Sequence, residues 1–375
     1  MRRLYKYLIF IATIAVICVL CSFEFVQMWE DPQLYPGTGL TDQLMLSNWF
    51  DGIENTAFDT PVYHFKGDTE GAKILILGGT HANEPAAALT AITLLENISS
   101  VEFGELYVIP WANHSGATHT DPMEGNPEFF TINTGDDQGR TFRFGSRKTN
   151  SIHQWPDPTI YNHQMGTTLG GQETLNLNRC YPGKKDGYGT EQVAYAIVEL
   201  IKNEGIDLAI DLHESSPEYP VNNAIVFHQD AAELAVTTQM MMEMSDVTIG
   251  LEESPVTLRG LSHREWGDAT DAMAVLFEVA NPSQGRMRGK SSEELILTGK
   301  DKFYVNAAKR GQLFVSYDES GYSLDLRVAR HLATITGFFD SWNMLYPEKM
   351  ILADGVPTYE EILSEGLGTF LKVKK

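Results

Sequence analysis

The sequence predicts an α/β fold built on a mostly parallel sheet, and three observations carry that expectation. Lys73-Ile74-Leu75-Ile76-Leu77 is a continuous apolar run with β-branched residues, the pattern of a strand covered on both faces. Gly78-Gly79 ends it, and AAALTAITLLENI follows, an alanine-rich helical stretch whose Pro85 suits a first turn where no N–H partner is needed. Glu105-Leu-Tyr-Val-Ile-Pro110 then completes strand, helix, strand, and the alternation returns at Ile206–Leu212 (IDLAIDL) and Ala274–Ala280 (AVLFEVA).

A chain of 375 residues has ample length for one large α/β domain or two smaller ones, and 43% apolar content is ordinary for a globular protein. With 28 basic and 50 acidic residues the formal charge is -22. A surface this acidic repels nucleic acid and anionic lipid, so neither is expected as a ligand of the folded domain. Of three cysteines, Cys18 and Cys21 lie in an apolar amino-terminal run, which leaves Cys180 without an internal disulfide partner. Any transition metal must therefore be held by histidine and carboxylate.

Taken in order, Met1–Tyr7 carries Arg2, Arg3 and Lys6, and Leu8–Cys21 is almost entirely apolar. A basic front before an apolar core reads as a leader over residues 1–28, a signal-anchor in preference to a cleaved signal peptide. The orientation expected is amino terminus inside and the remainder extracytoplasmic, so the membrane is met through this segment alone. Residues 29–59 are acidic and mixed and read as a linker, and 60–345 as the main domain. Within it, 114–171 is a long loop rich in glycine, proline, asparagine and threonine. That loop holds a basic patch, Arg140, Arg143, Arg147 and Lys148, either solvated or recognising an anion. Thr190–Glu204 reads as an amphipathic helix, Ala224–His228 as a strand and Ala231–Ser245 as a methionine-rich helix. Val328, Leu332, Ile335, Phe339 and Trp342 mark a further helix packed on the sheet, and 346–375 reads as a tail.

Polar residues at the strand ends point to chemistry. His81 and Glu84 stand at a strand-to-helix junction, where side chains three apart point the same way. His213 ends another strand, as ligands do in open α/β sheets. Two imidazoles and one carboxylate leave a fourth position for water, the pattern of a catalytic zinc. Glu278 interrupts the apolar AVLFEVA run, where a carboxylate is costly to bury unless it is paired, beside a metal or open to a cleft. It is the candidate general base. Arg179 can meet a substrate carboxylate or a developing oxyanion bidentately where lysine could not.

Four stretches in order, GGTHANEPA (78–86), LNLNR (175–179), IDLHES (210–215) and LFEVANP (276–282), resemble the zinc carboxypeptidase superfamily, and within it the succinylglutamate desuccinylase/aspartoacylase branch. The resemblance implies a mixed, mostly parallel eight-stranded sheet flanked by helices. It implies one Zn2+ per chain on His81, Glu84 and His213, a substrate carboxylate gripped by Asn178 and Arg179, and Glu278 as base and then acid. Gly170 and Gly171 stand where the family carries an oxyanion arginine, and of Arg140, Arg143 and Arg147 the choice here is Arg147, with Arg143 on the substrate. His263 and Arg264, in a donor-rich loop before the Glu278 strand, are expected to line the pocket.

The expectation is a zinc-dependent hydrolase of an amide bond beside a free carboxylate, acting on an acylated amino acid. An exported carboxypeptidase acting on short or cell-wall peptides is the alternative, and a non-catalytic exported binding protein the rival from another class.

Overall fold

In the computed structural model, residues 2–135 and 139–373 are described; Met1 of the leader, 136–138 of the long loop and the last two residues of the tail lie outside them. The strands formed are β1 (Asp42–Met45), β2 (Pro61–Lys66), β3 (Thr69–Leu77), β4 (Ser100–Ile109), β5 (Phe129–Ile132), β6 (Arg140–Arg143), β7 (Ile160–Asn162), β8 (Thr168–Gly170), β9 (Leu208–Ser215), β10 (Ala224–Phe227), β11 (Gly250–Glu253), β12 (Met273–Ala280) and β13 (Leu352–Asp354). The α-helices are α1 (Arg2–Gln27), α2 (Pro85–Asn97), α3 (Gly189–Glu204), α4 (Ala232–Met244), α5 (Ser262–Ala269), α6 (Glu293–Thr298), α7 (Lys302–Lys309), α8 (Leu324–Leu345) and α9 (Tyr359–Glu365).

The central sheet runs β1-β2-β4-β3-β9-β12-β10-β11, eight strands on one path, with β13 paired to β4. Pairings β4–β3, β3–β9, β9–β12 and β10–β11 are parallel, and β1–β2, β2–β4 and β12–β10 antiparallel. The sheet is thus mixed and mostly parallel, as the sequence predicts.

The apolar run of β3 is continuous because each face meets its own core. Ile74 and Ile76 pack with α2 and α8, whereas Leu75 and Leu77 pack with α3 on the opposite side. On β12, Val275 and Phe277 belong to the α8 side, where Phe277 stacks on Phe338 with ring centroids 5.1 Å apart. Alternation then turns Leu276 and Glu278 to the other face.

Three expectations are revised. Residues 29–59 are not a linker: β1 adds to the sheet edge, and Leu46 and Ile53 are fully buried. The long loop carries two short hairpins, β5–β6 and β7–β8, the first held by Phe130 stacked on Phe142 at 5.9 Å. Strands of three or four residues are too short to print a period on the sequence. The tail is also packed, since β13 extends the sheet and Leu367 and Leu371 are buried. Helix α1, in contrast, projects with its apolar side chains exposed, and residues 3–27 are long and apolar enough to cross a membrane.

One buried ion pair ties α8 to the sheet and to α2. Arg327 donates to Glu214 Oε1 at 2.6 Å and also to the Ile296 carbonyl, while Glu214 Oε2 accepts from Ala86 N at 2.8 Å. Neither charge is solvated, so removing one strands the other. Arg327→Met should cost about 3–5 kcal/mol in denaturant unfolding, and adding Glu214→Gln should recover part of that loss.

Candidate functional site

The turn after β3 is made by glycines that nothing larger could replace. Gly79 has φ +62°, and a Cβ there would lie 2.7 Å from the Pro110 carbonyl oxygen. A Cβ on Gly78 would meet the Ala87 carbonyl oxygen at 2.7 Å, so the turn lets the first turn of α2 close against the strand. Glu84 is the N-cap residue of that helix, with Pro85 following.

Glu84 is fully buried and reaches both histidines. Its Oε1 lies 2.8 Å from His81 Nδ1, and its Oε2 lies 3.0 Å from His213 Nδ1 and accepts from the backbone N of Glu214 at 3.0 Å. One ligand atom from each of His81, Glu84 and His213 falls within 4.8 Å of the others. The outer nitrogens of both rings are held as well: His81 Nε2 sits 3.0 Å from Asn176 Oδ1, and His213 Nε2 sits 2.9 Å from Asp211 Oδ2. Asp211 in turn accepts from Thr80 Oγ1 at 2.8 Å and from Ser262 Oγ. Two imidazoles, each with one nitrogen turned inward and the other oriented by an acceptor, plus one carboxylate, make a donor set that fits a divalent metal. Burial pushes the His81 ring down to about 4, with the Arg147 charge adding to it, so that ring is neutral, as a metal ligand must be. His213 moves the other way: burial opposes its charge, but Asp211 and Glu84 raise it well above the usual range.

Glu278 pairs with His213 in the parallel register of β9 and β12, so both side chains stand on one face. The carboxyl is half-buried, its Oε2 enclosed and without a hydrogen-bond partner among the described residues. Burial raises it to about 8, with Glu84 and Asp211 adding and His213 and Arg147 opposing. A cavity of about 480 Å³ opens here, lined among others by Arg147, Asn178, Arg179, His213, His263 and Glu278.

Of the residues the sequence singles out, His81, Glu84, His213, Glu278, Arg147, Asn178, Arg179 and His263 are brought together. Arg147 donates to Glu84 Oε1 at 3.0 Å, and its proximity helps burial to lower Arg179. Asn178 is fixed by accepting from Ser262 N at 2.8 Å. His263 is buried, and both its ring nitrogens lack a partner among the described residues; burial holds it down at about 3.

Two of the residues expected in the pocket, Arg143 and Arg264, are not brought there. Arg143, expected on the substrate, is buried away from the cavity, donating to the Met28 carbonyl at 2.9 Å and to Asp31 at 2.8 Å. Arg140 likewise pairs with Glu96 and donates to the Gln33 carbonyl, so these two arginines of the patch bind the segment after α1 to the body. Arg264 is also turned away, pairing with Asp268 and donating to the Ser254 carbonyl at 3.3 Å. A buried guanidinium must find an anion, and these find structural carboxylates. Sequence reasoning passed over Asn176 and Asp211, each two residues before a residue it did select. That spacing places Asp211 on the same strand face as His213, and it was the available signal.

No family model matches the sequence, and no curated protein matches it. Among solved structures, the chain is similar to a succinylglutamate desuccinylase from Silicibacter sp. TM1040, with TM-score 0.36 and 15% identity over 59% of this chain and 53% of that one. It is similar to an aspartoacylase family protein from Mesorhizobium loti, with TM-score 0.36 and 20% identity over 66% and 65%. A metallo-carboxypeptidase from Burkholderia cenocepacia gives TM-score 0.46 and 10% identity over 86% and 68%. The chain spans about half the length of the desuccinylase.

Two outcomes follow from the geometry. Asp211→Asn should weaken divalent-metal binding about 10–100-fold in a chelator competition, because the His213 ring loses its orienting acceptor. In metal-free protein Glu278 is raised from 4.5 to about 8, so its protonated form is favoured by folding. Its stabilising contribution is complete below pH 4.5 and lost as pH rises toward 8. Unfolding midpoints of chelated protein across that window should fall more steeply with pH for the wild type than for Glu278→Gln.

Proposed function

We propose that the protein is a zinc hydrolase that cleaves an amide bond beside a free carboxylate, with an acylated amino acid as substrate. The observation that carries this reading is the meeting of His81, Glu84 and His213 in one buried cluster beside Glu278, in a cavity that also holds Arg147 and Arg179. One Zn2+ held by His81, Glu84 and His213 would supply Lewis acidity, polarising the scissile carbonyl and making water more acidic.

The chain's own residues account for the rest. Glu278 takes a proton from water as the water oxygen bonds to the carbonyl carbon, then gives it to nitrogen as the C–N bond breaks. A carboxyl with a raised pKa suits that return step. Arg179 and Asn178 hold the substrate carboxylate, and Arg147 meets the negative charge developing on the carbonyl oxygen. His263, neutral and without a hydrogen-bond partner among the described residues, contacts the substrate with a ring nitrogen. Helix α1 anchors the body outside the cytoplasm, its basic front held inside.

A second reading, removal of a carboxyl-terminal residue from a short peptide, is favoured by that placement, since peptides, cell-wall peptides included, are found outside the cytoplasm. It uses the same residues in the same roles. The rival of a binding protein without chemistry predicts ligand binding in the absence of metal.

Full-length protein in detergent, offered acylated amino acids and short peptides with and without chelator, should give a chelator-sensitive product and about one zinc per chain, lost in His213→Ala. Glu278→Gln should retain metal and lose about 10²–10⁴-fold in kcat. Undiminished turnover by that variant removes Glu278 from the mechanism, and tight ligand binding to metal-free protein supports the rival.

A further inference from the structure

The cavity is bipolar. Arg147, bonded to Glu84 at the β3 end of the site, and Arg179 line it, and so does Glu252 on β11, the outer strand of the sheet. The register explains how Glu252 comes to line it. Glu278 lies beside Ala224, which lies beside Gly250, and one step back along the strands Leu276 lies beside Val226, which lies beside Glu252. All of these share the cavity face, since alternation sends Phe277 to the α8 core. The register places the small residues Ala224 and Gly250 beside Glu278, while Leu276 and Val226, with Pro255 and Leu258 from the following loop, form an apolar wall. Two strand spacings and one two-residue step put the Cα of Glu252 about 12 Å from that of Glu278. That distance accommodates an extended aliphatic side chain.

Among the described residues, the Glu252 carboxylate makes no hydrogen bond or ion pair, and it is an exposed member of the cavity lining. Every other acid the site uses is paired or faces the metal ligands. An apolar wall ending in a lone carboxylate matches a ligand with a methylene chain and a terminal cation, whose stem covers the wall while its head meets the anion.

We infer that Glu252 selects the leaving amino acid: the residue whose α-carboxylate is held by Arg179 carries a cationic side chain of the lysine or ornithine type. The inference rests on the hydrolase reading and narrows its substrate class, whether the bond cleaved belongs to an acylated amino acid or to the end of a peptide.

The test uses full-length, zinc-loaded protein. N-acetyl-lysine is compared with N-acetyl-norleucine, which has the same chain without the charge, and alanyl-lysine with alanyl-norleucine, in both stereochemical series. In parallel, free lysine and norleucine are titrated calorimetrically as product ligands, a readout that needs no turnover. The wild type should favour lysine over norleucine about tenfold or more, as a charge-assisted contact does. In Glu252→Gln that ratio should fall toward one, and in Glu252→Arg, where like charges repel, it should fall below one. Glu252 is exposed at a sheet edge, so these variants fold. Equal preference for lysine and norleucine in the wild type, or an unchanged ratio in Glu252→Gln, overturns the inference while leaving the hydrolase reading intact. Absence of any chelator-sensitive product overturns that reading instead, and the lysine-to-norleucine binding ratio still decides the role of Glu252.

Discussion

A single buried carboxylate, Glu84, organises the centre of this molecule. An unpaired charge at that depth is prohibitively costly, so the surrounding structure has to supply partners. It supplies two imidazoles, the Arg147 guanidinium and the backbone N–H of Glu214. Those partners come from the turn after β3, the loop after β6 and the end of β9, so satisfying one charge fixes three segments far apart in the chain. Its position at the N-cap of α2 adds the favourable end of the helix dipole.

The sheet order explains why this happens here. From β3 the chain crosses to β4 on one side and later returns to β9 on the other, so the strand order reverses at β3 and β9. Loops leaving such a point diverge and leave a crevice at the carboxyl ends of the strands. His81 and Glu84 follow one of these strands, and His213 lies near the end of the other. The next strand, β12, is in register with β9 and presents Glu278 at the level of His213, and β10 and β11 extend that surface into the bipolar cavity. The His81–Glu84–His213 cluster, Glu278 and Glu252 thus follow one another across one pleated face.

The buried polar network behind the cluster serves precision more than stability. Asp211 and Asn176 hold the outer nitrogens of the two rings, and Thr80 and Ser262 hold Asp211. Each member limits the rotation of the next. On the opposite face, Glu214, adjacent in sequence to His213, turns toward Arg327 and bonds the first turn of α2. Neighbouring residues on β9 therefore divide the work, one facing the cavity and the other fastening the sheet to its helices.

By itself the sequence determined the layers of the fold, because apolar runs such as Lys73–Leu77 and the stripe from Val328 to Trp342 are local patterns with one stable use. It also marked His81, Glu84, His213 and Glu278, because polar groups placed at strand ends or inside apolar runs need a reason to be there. Short strands such as β1, β5 and β13 left no period, and their pairing was decided by partners distant in the chain. The fate of the arginines was likewise a tertiary matter. Arg143 and Arg147 look equivalent in one basic patch, but Asp31 captures the first and Glu84 receives the second. Which charges meet depends on contacts across more than a hundred residues of intervening chain, as between Arg143 and Asp31, and no local pattern encodes those.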